Sequence, residues 1–478
     1  MSLRSHKTKI VATIGPASDT PEMLERLIRA GLDVARLNFS HGDFCKHEKV
    51  ISSLRSAART VGRKIAIMAD LPGPKMRLGQ IAPEPIQLRT GDHFILTSDD
   101  VIGNSQRASI SFGDLPQVVK SGDRLFLNDG LVQLRVEHIV GNDVQCEVAV
   151  GGELRSRKGL NLPAINLGIS AFTEQDRASL KFALDHDVDA ISQSFVETAA
   201  DVELLRTTAK AMGKWPFIIA KIERAGALKH FDDILKVADG IMVARGDLGV
   251  ELPVEEMPII QKRLIAKCNV VGKPVITATQ MLESMVCSRL PTRAESTDVA
   301  NAILDGTDCV MLSAESATGK YPEEAISMLA KIATVTESHR PLRSAPKELA
   351  LEPNSAAEAV ATLVDHALNT VHCIAIFVPT LSGGTARMIS RFKPSVWVVA
   401  MSNNSTVVQG LTFSYGVEPI QQDSSLDCRE FAASWLRKHQ LTGGIALLVA
   451  GPSPVEPESN YRIEFLRVGE LSRRSENN

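Results

Sequence analysis

Two pairs of oppositely charged residues follow apolar runs that predict buried strands. Lys221 and Glu223 stand at the end of the first run, and Arg245 and Asp247 stand at the end of the second. Residues two apart on a strand point to the same side, so each pair should present a cation beside an anion. Two carboxylates with adjacent cations on consecutive strand tips can hold a divalent metal against a phosphorylated substrate. The sequence therefore predicts metal-assisted chemistry on a phosphate.

The elements that would position these residues are eight short apolar runs, which alternate with amphipathic segments of helix length. The runs cover residues 9–15, 33–39, 64–70, 190–195, 217–223, 240–246, 274–279 and 309–314. Apolar strands that alternate with helices predict a parallel sheet, and eight such units predict a (β/α)8 TIM barrel. The active site of such a barrel lies at the carboxyl ends of its strands. Polar residues stand in the last part of most runs or just after them, among them Thr13, Arg36, Asp70, Thr279, Ser313 and Glu315.

The spacing of the runs breaks after residue 70. Residues 71–168 alternate short strands with Gly-Asp and Gly-Asn turns, which predicts a small β-barrel domain inserted at the catalytic face as a lid. After residue 345, one long helix and four further apolar runs predict a separate open α/β domain. We therefore expect a catalytic barrel formed by residues 1–70 and 169–345, a lid at 71–168, and a C-terminal regulatory domain at 346–478.

The amino-acid composition limits which binding partners and which cellular compartment we expect for this protein. The net charge of −3 argues against nucleic acid or an anionic membrane as the main partner. The seven cysteines include no CxxC pair, which is typical of free thiols in a reducing compartment. The first residues lack the apolar run of a signal peptide, and no apolar stretch is long enough to span a bilayer. We expect a cytoplasmic protein that binds neither nucleic acid nor membrane.

Six segments spread over the predicted barrel resemble pyruvate kinase. They are TKIVATIGPAS at 8–18, VARLNFSHG at 34–42, IIAKIE at 218–223, IMVARGDLGVEL at 241–252, TQMLESM at 279–285 and PTRAE at 291–295. The inserted β domain and the C-terminal domain also match the layout of the family. The resemblance implies phosphoryl transfer from phosphoenolpyruvate to ADP, with pyruvate and ATP as products, and it implies a homotetramer.

The resemblance also gives roles to the residues at the strand tips. Glu223 and Asp247 are expected to hold Mg2+ or Mn2+, and hard oxygen ligands suit either ion. Lys221 is expected to meet the phosphoryl group in transit as a point charge, and Arg36 to grip phosphate. The backbone N–H groups of Gly246 and Asp247 are expected to bind the carboxylate of the substrate.

Further roles concern the proton and the nucleotide. Thr279 is expected near the enolate carbon that is protonated, with Ser313 and Glu315 behind it on a water relay. The alternative for Thr279 is a helix N-cap. The positions that match the nucleotide side of the family's site are Asn38, His41, Arg77 and Lys158. Because Lys158 stands at the end of the insert, closure of the lid could bring it onto ADP.

One departure from the family pattern concerns a monovalent cation. Members that require K+ carry DTKGPE, whose glutamate helps to complete the monovalent site, whereas this chain has DLPGPK at 70–75. Lys75 therefore stands where that acid would be, although the other residues of the monovalent site, Asn38, Ser40 and Asp70, are present. We predict that K+ is not required, because the ammonium of Lys75 takes its place. The alternative is a solvated charge at the lid hinge.

A second site is expected in the C-terminal domain. A loop after a strand resembles the family's allosteric sugar-phosphate loop and contains Thr380, Ser382, Gly383, Gly384 and Thr385. The segment at 451–458, where a partner loop would stand, is acidic and rich in proline. An acidic loop opposes a bisphosphate, so we expect a monophosphate effector rather than fructose 1,6-bisphosphate. A relic loop without an effector is the alternative.

Two other functions remain open from the sequence. A metal-dependent aldolase or lyase that handles pyruvate enolate would share the carboxylate-bound metal on the same barrel. It would need neither a lid nor a lysine facing a phosphoryl group. A non-catalytic sensor of phosphorylated metabolites would need only the C-terminal loop, and the complete set of polar residues on the barrel argues against it.

Overall fold

The computed structural model describes residues 3–163, 165, 168, 170–340, 355–422, 427–451 and 460–468. In chain order, the strands of these residues are β1 (Lys9–Thr13), β2 (Val34–Asn38), β3 (Ala66–Leu71), β4 (Ile86–Leu88), β5 (His93–Thr97), β6 (Arg107–Ser109), β7 (Arg124–Leu127), β8 (Val132–Val140), β9 (Asp143–Val150), β10 (Gly152–Leu154), β11 (Leu160–Asn161), β12 (Ala190–Gln193), β13 (Phe217–Ile222), β14 (Gly240–Ala244), β15 (Val275–Ala278), β16 (Cys309–Leu312), β17 (Cys373–Pro379), β18 (Trp397–Ser402), β19 (Val417–Gln421), β20 (Ile445–Ala450) and β21 (Arg462–Arg467).

The helices in the same ranges are α1 (Pro21–Ala30), α2 (Phe44–Val61), α3 (Leu115–Val118), α4 (Glu174–Asp185), α5 (Ala199–Ala211), α6 (Ala225–Lys229), α7 (Phe231–Val237), α8 (Arg245–Glu251), α9 (Met257–Val270), α10 (Arg293–Asp305), α11 (Ala314–Ala317), α12 (Pro322–Ser338), α13 (Ala356–Thr370), α14 (Gly384–Ser390), α15 (Ser405–Leu411) and α16 (Cys428–Lys438). Within the described ranges, none of these helices combines the length and the apolarity that crossing a lipid bilayer requires.

Eight parallel strands close into a barrel. Their order around the barrel is β1, β16, β15, β14, β13, β12, β3, β2, and β1 pairs with both β16 and β2. All eight apolar runs of the sequence form these strands, which confirms the predicted (β/α)8 barrel. The strands are buried almost completely, because helices cover one face and the packed barrel interior covers the other.

Local signals in the sequence explain where the barrel helices begin and end. Thr20 caps α1 by accepting a hydrogen bond from the backbone N–H of Met23 (3.3 Å), and α1 ends before Gly31, whose φ is 140°. Thr173 and Asp176 form a capping box at the start of α4. These starts follow the expected pattern, in which an N-cap side chain satisfies the free N–H groups of the first turn.

A separate curled sheet is inserted between β3 and β12. Its six strands have the order β11, β7, β8, β9, β5, β6, and β4 pairs with β10 beside it. Isolated bridges from Arg77 to Gly159 and from Leu78 to Ile110 connect the two edges of the six-stranded sheet. The small β domain predicted from the turns is therefore present, while its boundaries at residues 71 and 168 stay predictions.

The chain entering the insert is anchored to the barrel at Gly73. The backbone N–H of Gly73 donates to the carboxylate of Asp176 at the start of α4 (3.0 Å). Its φ is 63°, and a β-carbon there would come within 2.8 Å of the ring of Phe195. Only glycine fits this left-handed, crowded position, so the chain is held at the point where it leaves the barrel.

The C-terminal domain is a five-stranded sheet with the order β19, β18, β17, β20, β21, in which only β21 is antiparallel to its neighbour. The four runs predicted here form strands, and the sequence analysis missed β19. That strand contains Pro419 and lies at the edge of the sheet, where a missing N–H is tolerated. The predicted linker at 347–352 and nearly all of the acidic loop at 451–458 lie outside the described residues.

The C-terminal domain packs against the amino ends of the barrel strands. Phe413 stacks on Phe217 with ring centroids 5.4 Å apart, and Lys393 Nζ lies 2.7 Å from a carboxylate oxygen of Asp308. The residues of the barrel in these contacts stand at or just before the first residues of β13 and β16. The domain therefore covers the end of the barrel opposite to the predicted active site.

Candidate active site

Four charged side chains meet at the carboxyl ends of the barrel strands. Lys221 Nζ lies 2.7 Å from Glu223 Oε1 and 3.2 Å from Asp70 Oδ1. Arg36 Nε donates to Asp70 Oδ2 at 2.8 Å, and its Nη1 donates to Thr13 Oγ1 at the same distance. The contact between Lys221 and Glu223 confirms that these residues share one side of the chain. The structure also adds Asp70 between the two cations.

The mutual contacts set the protonation of the cluster. Burial alone would raise the pKa of Asp70, but Lys221 and Arg36 outweigh it and hold that pKa well below its usual range. Burial opposes the charge on Lys221, while Asp70 and Glu223 raise its pKa, so Lys221 stays a cation. For Glu223, burial and the nearby Asp247 raise the pKa against the pull of Lys221. A cation bound beside Glu223 and Asp247 would favour the charged form of Glu223.

Glu223 and Asp247 fit a divalent metal by their chemistry. Asp247 lies in the first turn of α8 with an exposed side chain, close enough to Glu223 to affect its pKa. Both provide hard carboxylate oxygens, which Mg2+ and Mn2+ prefer. Across the described ranges, no group of three or more His, Cys, Asp or Glu side chains could hold a metal. A metal at this pair therefore needs oxygens from substrate or water to complete its coordination.

The expectation that Arg245 stands beside Asp247 as a second strand-tip cation is wrong. β14 ends at Ala244, and Arg245 begins α8, so the two-residue period of a strand does not apply. Arg245 Nη1 pairs with Asp298 at 2.6 Å, and its Nη2 donates to the carbonyl of Thr279 at 2.7 Å. Arg245 thus holds the loop after β15.

That loop carries backbone strain at Thr279. The φ of Thr279 is 68° and that of the next residue, Gln280, is 54°, and a left-handed conformation is a marked outlier for a β-branched residue. The hydroxyl of Thr279 accepts from the backbone N–H of Gly246 and donates to the carbonyl of Ala278, both at 2.6 Å. Thr279 is not the N-cap of a helix that follows it in the chain, because the next helical segment is Glu283–Val286, but its hydroxyl does serve the first turn of α8. The N–H of Gly246, predicted to bind a substrate carboxylate, is engaged with this hydroxyl.

Glu315 connects two loops at the same end of the barrel. Its carboxylate accepts from the backbone N–H of Leu282 (3.1 Å) and from that of Ser313 (2.8 Å), and the side chain is fully buried. These contacts tie the loop after β15 to the loop after β16. The structure gives Glu315 a positioning contact, and the water relay through Ser313 and Glu315 stays a prediction.

The residues predicted on the nucleotide side form a positive surface at the rim. Burial lowers the pKa of His41 first, and the nearby charges of Lys75, Arg77 and Arg36 lower it further. Arg77 Nη1 donates to the carbonyl of Arg157 (3.0 Å). Asn38 accepts from the N–H of Ser40 (3.1 Å), and Lys158 is half-buried in the segment just before β11.

Lys75 faces the charges of the catalytic cluster. Desolvation is the largest cause of the lowered pKa of Lys75. Lys221 lowers this pKa further, and Asp70, Glu223 and Asp247 act in the opposite direction. The ammonium therefore senses all three carboxylates of the candidate site.

The loop predicted to bind an effector is held by its own backbone. Thr380 Oγ1 accepts from the N–H of Gly383 (2.9 Å), and Ser382 Oγ accepts from the N–H of Gly384 (3.4 Å). Arg387 Nη2 donates to the carbonyl of Ser382 (2.8 Å). Thr385 follows in the first turn of α14. The structure brings these residues together in one turn and contains no ligand that would identify an effector.

Two serines, Ser192 within β12 and Ser194 just after it, support the cluster and were missed by the sequence analysis. Ser192 donates to Asp70 Oδ1 at 2.8 Å. Ser194 accepts from Lys221 Nζ and donates to the carbonyl of Leu71, both at 2.7 Å. Polar residues inside an otherwise apolar run were the signal for both, because buried hydroxyls need partners.

Comparisons with known proteins agree along nearly the whole chain. Residues 5–326 match the family model "Pyruvate kinase, barrel domain", and residues 358–455 match "Pyruvate kinase, alpha/beta domain". A pyruvate kinase of Thermococcus litoralis is 48% identical over 437 residues, which cover 89% of this chain and 91% of that protein. A pyruvate kinase of Geobacillus stearothermophilus is 41% identical over 479 residues, covering 97% and 81%.

A solved structure has the same architecture. The crystal structure of a pyruvate kinase from Cryptosporidium parvum superposes with a TM-score of 0.90 at 36% sequence identity. The match covers 97% of this chain and 96% of that one. The barrel, the inserted sheet and the C-terminal domain are thus shared as one arrangement.

Proposed function

This chain belongs to the pyruvate kinase family, and from that premise we propose how its own residues transfer a phosphoryl group from phosphoenolpyruvate to ADP. The observation that carries the proposal is the position of Lys221, buried at the carboxyl end of the barrel between Asp70 and Glu223. A fixed cation in a site shielded from water stabilises charge that develops on a phosphoryl group in transit. Arg36, on β2, binds a phosphate oxygen.

Pyruvate kinases depend on a divalent metal, and we propose that Glu223 and Asp247 hold it here as Mg2+ or Mn2+. The bound ion would neutralise developing negative charge on the enolate and the phosphoryl oxygens. Lys221 keeps Glu223 in place through their ion pair, and Phe195 does so through a backbone N–H at 2.9 Å. The backbone N–H groups of Gly246 and Asp247 take the carboxylate of phosphoenolpyruvate, which requires Thr279 to release Gly246.

Thr279 is proposed to face the enolate carbon that receives a proton. Arg245 holds its strained backbone through the carbonyl of Thr279, so the position of the residue is set before substrate arrives. Ser313 and Glu315 complete the proton path through water. On the rim, the proposed contacts to ADP come from Asn38, His41, Arg77 and Lys158, and the last two approach with the insert.

We propose that the ammonium of Lys75 replaces K+. Burial and Lys221 lower the pKa of Lys75, while Asp70, Glu223 and Asp247 act in the opposite direction, so the ammonium interacts with the carboxylates that a monovalent cation would meet there. Asn38, Ser40 and Asp70 are the other members of that site. Activity should persist when tetramethylammonium replaces every alkali cation in the assay, and an almost complete loss that K+ restores would refute the proposal.

The rival function on the same barrel is a metal-dependent aldolase or lyase of pyruvate enolate. The lysine between two carboxylates favours phosphoryl transfer, because enolate chemistry alone has no need for it. The purified protein should form pyruvate and ATP from phosphoenolpyruvate and ADP with Mg2+, as measured by coupling pyruvate to lactate dehydrogenase. Cleavage of a 2-keto acid with no reaction of phosphoenolpyruvate would favour the rival.

We also propose how the protein is regulated, how it assembles and where it is located. The loop from Thr380 to Thr385 is proposed to bind a phosphorylated metabolite, because hydroxyls and glycines at the start of a helix suit phosphate. Saturation curves for phosphoenolpyruvate with glucose 6-phosphate, ribose 5-phosphate, AMP and fructose 1,6-bisphosphate test this. An unchanged curve with every compound would indicate a relic loop.

A cytoplasmic homotetramer is expected, and light scattering would measure its mass.

A further inference from the structure

A small cavity lies where the C-terminal domain covers the amino end of the barrel. It has a volume of about 10 Å3, and its walls include Lys273 and Asp308 from the barrel and Arg387, Arg391 and Lys393 from the C-terminal domain. This volume accommodates on the order of one water-sized particle. Four cationic side chains therefore meet around a space that holds a single small ligand.

The one carboxylate in the wall is fully used. Asp308 Oδ1 accepts from Lys393 Nζ (2.7 Å) and from the backbone N–H of Tyr415 (2.9 Å), and Asp308 Oδ2 accepts from the backbone N–H of Val275 (3.1 Å). Asp308 thus balances the charge of Lys393. Both of its oxygens are engaged by groups outside the two arginines of the wall.

Lys273 is satisfied by carbonyl groups rather than by an anion. Its Nζ donates to the backbone carbonyls of Leu235 and Ala238, both at 2.6 Å, and to that of Lys236 at 2.8 Å. Asp239, the nearest further acid, is engaged with Arg206 at 2.8 Å. The positive charge of Lys273 therefore contributes to the positive potential in the cavity, although its ammonium hydrogens already donate to backbone carbonyls.

Three polar atoms of the wall have no hydrogen-bond partner among the described residues: Arg387 Nη1, Arg391 Nε and Ser414 Oγ. Arg391 is 6% exposed and Ser414 is 2% exposed, so solvent does not satisfy them. The other bonds of the two arginines go to the carbonyls of Ser382 (2.8 Å) and Val270 (2.6 Å). A buried donor left unsatisfied is costly, so these atoms indicate a ligand that accepts hydrogen bonds.

The electrostatic environment favours an anion over water. Burial lowers the pKa of Arg387 and of Arg391, against the pull of Asp239 and Glu358 respectively, because charged guanidinium groups are desolvated here. A water molecule would satisfy two donors and leave the surplus charge. A monatomic anion in the cavity accepts hydrogen bonds from unpaired donors of the wall and offsets one positive charge of the interface.

We propose that this cavity binds a halide-sized anion such as chloride, and that the bound ion fixes the C-terminal domain on the barrel. Phosphate and sulfate are excluded by size. The site is separate from the phosphoryl-transfer cluster, which lies at the other end of the strands, so the proposal stands or falls independently of the proposed function.

Crystals grown in bromide in place of chloride give the direct test, because bromide scatters anomalously and water does not. The expected result is one anomalous peak within hydrogen-bond distance of Arg391 Nε and Arg387 Nη1. A cavity that contains only non-anomalous water density, or that is empty, would overturn the proposal. This test uses the unmodified protein and does not depend on the folding of a variant.

Thermal unfolding supplies the second test. At equal Na+ and ionic strength, replacing gluconate by chloride should raise the Tm of the wild-type chain by roughly 2 °C, because a ligand bound only by the folded state stabilises it. Arg391→Met should abolish this shift. Arg429→Met, in the same domain but exposed and paired with Glu464, should keep it. Equal chloride shifts in the wild type and Arg391→Met would contradict the assignment.

Discussion

The two ends of the barrel both bury charged side chains, but they pair them differently. At the carboxyl end, Arg36 and Lys221 share Asp70, and Lys221 also meets Glu223, so that every buried charge has an opposite charge in contact. At the amino end, Lys393 and Asp308 form one closed pair beneath the C-terminal domain, and further cations lie around it. The first set lies at the end of the barrel that carries the candidate active site, and the second lies where the C-terminal domain packs on the barrel. The difference suggests that charge at one end serves reaction and at the other serves assembly.

The sharpest test of this contrast is Lys221→Met. Removal of the cation that faces the phosphoryl group should lower kcat by about 1,000-fold, the scale of losing one preorganised electrostatic group. The fold should persist because methionine fills a similar volume. Steady-state rates with phosphoenolpyruvate and ADP measure the loss, and circular dichroism checks the fold. Activity at the wild-type level would refute the role of Lys221.

The matched change at the opposite end is Lys393→Met. Asp308 then keeps two backbone donors but loses its cation, and breaking a buried pair costs about 3–5 kcal/mol. We expect a markedly lower Tm and an unchanged kcat at temperatures where the variant stays folded. Scanning calorimetry and the rate assay measure the two effects. A variant with normal stability and lost activity would reverse the assignment of the two ends.

Thr279→Val probes the strained loop between the cluster and α8. Valine keeps the β-branch but loses the hydroxyl that serves Gly246, so kcat should fall by about 100-fold, within the range for loss of a group that assists proton transfer. Thr279→Ser keeps the hydroxyl and should stay within about tenfold of the wild type. Equal activities of the serine and valine variants would show that the hydroxyl has no part in the reaction.

Lys75→Glu should have the smallest and most specific effect. The substitution restores an acid at the monovalent position, so the variant should depend on K+ and gain roughly tenfold in rate when K+ replaces tetramethylammonium, a change of about 1.4 kcal/mol. The wild type should respond little. Lys75→Met separates loss of the cation from gain of the acid. A wild type and Lys75→Glu variant with the same K+ response would remove Lys75 from the monovalent site.

The sequence predicted the barrel because its strands are apolar on both faces, and it missed one strand for a physical reason. All eight runs became strands, since burial on both sides leaves a continuous apolar signal. β19 gave no such signal, because Pro419 stands within it and only an edge position permits this. Edge strands are less constrained by packing and therefore carry less information in one sequence.

The candidate site was predictable as a set of residues but less so as a geometry. The pairing of Lys221 with Glu223 followed from the period of a strand. The direction of Arg245 did not, because the strand ends one residue earlier and a helix begins. The contact between Lys221 and Asp70 joins positions 151 residues apart, which no local pattern specifies.

The anchored glycine at the entrance of the insert has a consequence for the predicted motion of the lid. Gly73 is fixed to α4, so a pivot of the predicted lid would lie beyond it, and Lys75 would be the first charge on the moving side. A rotation of the insert would carry this ammonium away from Asp70 and Glu223. Opening the lid would then also remove a positive charge from the candidate site. Access to the site and its net charge would change in the same motion.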